Sequence, residues 1–122
     1  MDRNESLLKF EQYLRRRFPD RRTAQDYVSD VRQFMAVCSK PWREVAMHDI
    51  DAFVDQQRQS GLKPTTIKRR VAALKTFFDF LAEEAGESEL AQPRALQAAR
   101  RATAAPFTAM IEERLTRLEI QP

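Results

Sequence analysis

KPTTIKRRVAALKTFFDFLAEEAG, residues 63–86, sets three consecutive cations and three phenylalanines in one run. Ile67, Val71, Leu74, Phe78 and Leu81 recur at spacings of four, three, four and three, the repeat of one α-helical face. Pro64 suits a first turn, where its missing N–H leaves no bond unmade, and Gly86 suits a left-handed residue just past the end. The run predicts a helix of about five turns with one buried stripe. Its opposite face carries Thr65, Arg69, Ala72, Ala73 and Thr76, flanked by Lys68 and Lys75 on one side and Arg70 on the other. Phe80 is off the stripe, which marks it as an exposed aromatic and a docking point for a further helix.

Working outward, three more helices precede this one. Leu7, Phe10, Leu14 and Phe18 share a face over residues 4–18, and Pro19 stops that helix because the residue before proline avoids helical geometry. TAQD, residues 23–26, resembles a capping box and predicts a second helix starting at Thr23, with Tyr27, Val31, Phe34 and Cys38 inward. Trp42 and Val45 anchor the connection that follows. A third helix over 48–60 turns Ile50, Phe53 and Val54 inward and ends at Gly61. After Pro93, RALQAARRATAA has helix propensity but few large apolar residues. Phe107, Met110, Ile111, Leu115 and Leu118 then form a stripe that predicts a last helix over 106–119, docking through Phe107, Ile111, Leu115 and Leu118. Such a short helix must bury its stripe, on this bundle or on a second copy.

The sum is an all-α fold: a bundle over residues 1–92 and a helical extension or linker over 93–122. The chain's 122 residues fit one small core, and two glycines leave few tight turns for β-structure. With 43% hydrophobic and 32% charged residues the chain is globular and not disordered. No apolar run has the length of a membrane span, and MDRNESLLKF lacks the pattern of a secretory signal. One cysteine excludes an internal disulfide and a cysteine-based zinc site, which fits a reducing cytoplasm. Cys38 reads as a core residue, and the lone His48 as a cap or surface group without metal partners. No cofactor is expected.

Charge is more informative in its distribution than in its sum of +3. RRRFPDRR, residues 15–22, holds five arginines against one aspartate, and residues 61–80 hold five cations against Asp79 alone. Helix two repeats the lean outer face of the opening stretch, with Gln25, Ser29, Arg32, Gln33 and Ala36 opposite Tyr27. Short polar side chains around a reaching cation let a helix enter a DNA major groove while flanking cations meet phosphates. Arg21 and Arg22, placed just before helix two, oppose its macrodipole, a conflict that a phosphate there would relieve. An ordinary solvated face is the competing reading of either basic run taken alone.

Three stretches then combine: TAQDYVSDVRQFMAVC, a D-I-x-x-F helix, and T-x-x-R-R-x-x-A-L-x-x-F-F-x-x-L. In order and spacing they resemble the N-terminal core-binding domain of tyrosine recombinases, the phage-integrase and Xer-like family, over about residues 5–85. The resemblance implies a four- to five-helix SAM-like bundle that forms half of a clamp on duplex DNA, with helices two and four at the major groove. It implies DNA contacts from Thr23, Gln25 and Ser29 on helix two and from Thr65, Arg69 and Ala73 on helix four, beside which Arg21, Arg22, Arg32 and Thr66 are further candidate contacts. Lys68, Arg70 and Lys75 fall nearer phosphates.

The family's catalytic set of two arginines, a lysine, histidines and a nucleophilic tyrosine has no counterpart here. His48 opens no H-x-x-R motif, and no tyrosine follows Tyr27. The expected function is therefore DNA recognition for site-specific recombination and integration, without catalysis by this chain, whether it is an excised piece or a stand-alone protein. The alternative is a small helical interaction or regulatory protein that self-associates through residues 106–119.

Overall fold

The computed structural model describes residues 3–88, 107 and 109–118; the stretch 94–105, where the sequence favours helix, lies outside them. Helix α1 spans Arg3–Arg17, α2 Arg21–Val37, α3 Met47–Gln59 and α4 Pro64–Ser88. A 3-10 turn at Trp42–Glu44 joins α2 to α3, and a last helix, α5, covers 109–118. Among the described residues every regular element is helical, as the sequence predicts.

The helix ends follow local chemistry, and two differ from expectation. Helix α2 starts at Arg21, not Thr23, because Asp20 is the N-cap: its extended backbone turns the carboxylate onto the Arg22 N–H at 2.9 Å. An aspartate after a proline is the stronger start, and Thr23 lies inside the first turn. Helix α4 does not stop at Gly86 but continues to Ser88. A glycine costs a helix only about 1 kcal/mol relative to alanine, too little to end one by itself. Gly61 does end α3, with φ at 82°. Its N–H bonds to the Arg58 carbonyl at 3.0 Å and the Leu62 N–H to that of Gln57 at 3.3 Å, closing the helix end as a left-handed residue allows.

The core lies where α4 meets α2, α3 and α1, with α2 packed in turn on α1. Phe10, Phe34, Phe53 and Phe77 are fully buried, one from each of α1 to α4. Phe10 and Phe77 meet edge to face at 5.0 Å, as do Phe34 and Phe53 at 5.4 Å, the geometry that aromatic quadrupoles favour. Trp42 lies on Phe77 at 4.7 Å and Val45 is buried beside it, so the connection is anchored as expected. Arg3 stacks over Trp42 and donates to the carbonyls of Met35 and Cys38 at 3.2 and 2.6 Å. An arginine from the first turn of α1 thereby satisfies carbonyls left open at the end of α2. Cys38 is buried, as predicted.

Two residues assigned to the outside of α4 belong to the core. Phe80 is only 5% exposed and packs on Phe10 and Tyr13 of α1 at 5.5 and 4.9 Å. Ala73 is 0% exposed, so it is not an outer-face residue and has no surface to offer DNA. A single stripe underestimates burial here because α4 has neighbours on several sides.

Helix α5 docks on its own bundle. Ile111 and Leu115 are buried, while Phe107 and Leu118 pack half-buried on the core. Phe107 meets Phe78, not Phe80, edge to face at 5.0 Å. Two ion pairs flank the seam: Arg114 to Asp51 of α3 at 3.0 Å, and Lys75 of α4 to Glu112 at 3.4 Å.

Candidate nucleic-acid interface

Arg21, Arg22, Gln25, Ser29, Arg32, Gln33 and Ala36 are all exposed along α2, and Thr23 is half-buried beside them. They occupy the arc opposite Ala24, Val28, Val31 and Phe34, whose burial fixes the helix's rotation. The row contains no acid, and among the described residues no carboxylate pairs with Arg21, Arg22 or Arg32. Asp20 offsets part of the unfavourable placement of Arg21 and Arg22 in a first turn.

The cations of α4 are held differently. Arg69 is half-exposed, yet its guanidinium grips Asp30 of α2 through two bonds: Nε–H to Oδ2 at 3.1 Å and Nη2–H to Oδ1 at 3.0 Å. Asp30 is 1% exposed. The hydrogen bond to Asp30, helped by its charge and that of Asp26, holds Arg69 protonated more firmly than usual. Arg70 turns inward, donating Nη1–H to the Gln57 side chain of α3, and its Nε lies 3.7 Å from Asp30 Oδ1. This polar node ties α2, α3 and α4 together under the candidate face. Lys75 bonds Asp79 at 3.1 Å and reaches Glu112; the Asp79 bond chiefly raises its pKa, against the opposing effect of burial. Thr65 is exposed, and Thr66 and Lys68 are half-buried.

The structure thus brings the outer row of α2 beside Thr65 and Arg69 of α4, and draws Ala73, Arg70 and Lys75 into other contacts. Sequence reasoning missed Asp30. Its signal was a carboxylate on the edge of the Val31–Phe34 stripe, in a chain with adjacent arginines on another buried helix. No group of three or more His, Cys, Asp or Glu among the described residues is placed to hold a metal, and no described helix is long and apolar enough to cross a membrane.

No curated protein and no solved structure gives a match to this chain. The family model for the phage integrase N-terminal SAM-like domain matches residues 7–85, which hold most of α1, all of α2 and α3, and most of α4. The match does not extend to a catalytic domain. With most of its length covered and its helices in the expected order, the chain belongs to the phage integrase N-terminal SAM-like domain family.

Proposed function

We propose that this bundle binds duplex DNA as the recognition half of a tyrosine-recombinase clamp, with the outer row of α2 and the first half of α4 at the major groove. The chain itself does no strand chemistry. The observation that carries the reading is the acid-free row Arg21, Arg22, Gln25, Ser29 and Arg32, exposed along the first three turns of α2. An ordinary solvated helix alternates charge; a row of cations and amides is matched to phosphates and base edges. Arg21, Arg22 and Arg32 meet phosphates, while Gln25, Ser29, Thr65 and Arg69 face bases. Thr23, Thr66 and Lys68 border the contact. The family match supports the reading of a recombinase-family DNA-binding domain.

Titrating a labelled duplex with the chain over a salt series tests this. Binding should weaken steeply with salt, and Arg22→Ala should weaken it on every sequence and lower the log–log slope by about one. Salt-indifferent binding, or none at low salt, refutes the reading.

A further inference from the structure

Among the described residues Asp30 is the one aspartate in the core, and recognition by surface contacts does not require it. We propose that Asp30 is a positioning residue: its buried carboxylate fixes the Arg69 guanidinium side-on, so that the free end of the guanidinium stands outward as a preset fork for a guanine edge. The proposal rests on the DNA reading above and deepens it by naming what makes α4 selective.

A guanidinium has five N–H donors. Asp30 takes the Nε–H and one Nη2–H. Of the other three, one on Nη1 and one on Nη2 lie along the end edge, and that pair matches O6 and N7 of guanine in the major groove. A free arginine samples many rotamers, whereas one clamped on a buried carboxylate offers a single direction. The charge balance supports the same role. An arginine meant for phosphates gains nothing from being neutralised by a buried acid, but one meant for direction loses little. Asp30 is shielded from DNA phosphates because Arg69 and Arg70 lie against it. By joining α2 to α4, the pair also sets the distance between the two rows that would read the groove.

The test uses a duplex that the wild-type chain enriches from a randomised pool, and a scrambled duplex of equal length and composition. Asp30→Asn keeps the side chain's size but releases the guanidinium and its charge. The ratio of the two affinities should fall by about tenfold or more, the scale of a bidentate base contact. Affinity for the scrambled duplex should hold or rise, with a salt slope steeper by about one. A merely structural salt bridge predicts the opposite pattern: both affinities fall together and the ratio is unchanged, which overturns the proposal. Arg69→Lys leaves Asp30 a cation to pair with but removes the planar fork. It should stay folded by circular dichroism and lose discrimination by a similar factor, so the proposal can still be overturned if Asp30→Asn unfolds. An unchanged ratio in Arg69→Lys, or wild-type binding without sequence preference, also overturns the proposal. Wild-type failure to bind any duplex refutes the DNA reading itself; preference retained by both variants refutes only the positioning role.

Discussion

At Asp49 one carboxylate starts a helix whose own N-cap, Ala46, has no side chain to offer. It accepts the Ala46 N–H at 2.9 Å and meets Lys40 Nζ at 3.0 Å, with exposed His48 beside it at 3.4 Å. The backbone bond above all, with Lys40 and His48 assisting against burial, holds its pKa below the ordinary 3.8. A depressed carboxylate contributes stability above its unfolded pKa and loses it as pH falls through the folded one. Asp49→Ala should therefore cost about 1 kcal/mol in urea unfolding at neutral pH. That difference should shrink below pH 3.8 and vanish once the wild-type carboxyl is protonated. An equal cost at both ends of the range would mean the side chain acts by packing alone. Periodicity identified Ile67, Val71 and Leu74 as core because each needs only its own helix to be recognised. Asp30 and Ala73 were not legible that way. Their roles depend on which second helix lies against them, a fact held in the packing and not in local spacing.

At the scale of the element, the two glycines of the chain were given the same terminating role and the structure separates them. Gly61 has positive φ and open space where a Cβ would go, so Gly61→Ala is resisted by the backbone alone. It should lower stability by about 1 kcal/mol. Gly86 is helical, so Gly86→Ala should leave stability unchanged or raise it by up to about 1 kcal/mol. Thermal melts of the two variants should move in opposite directions; a shared loss would return Gly86 to the role of a helix stop. Proline proved the firmer guide to boundaries. Pro19 separates α1 from α2 and Pro64 opens α4, because a fixed φ and an absent donor act whatever the neighbours do. Thr23 misled because a threonine resembles a cap in sequence even when an aspartate three residues earlier already fills that place.

For the whole molecule the open choice in the sequence was whether the last apolar stripe folds back on its own chain or crosses to another. The structure folds it back: Ile111 is fully buried, Phe107 meets Phe78, and Arg114 and Glu112 pair with α3 and α4. Ile111→Ala should then cost about 2–5 kcal/mol, since it empties a closed site between helices. The test that separates docking on the same chain from exchange is concentration. A helix seated on its own bundle adds stability that is independent of protein concentration, whereas one borrowed from a partner gives a melting temperature that climbs with it. We expect a constant melting temperature over a hundredfold dilution series, and a drop for Ile111→Ala that is equal at every concentration. A midpoint that rises with concentration in the wild type, and loses that dependence in Ile111→Ala, would show instead that α5 joins two copies of the chain.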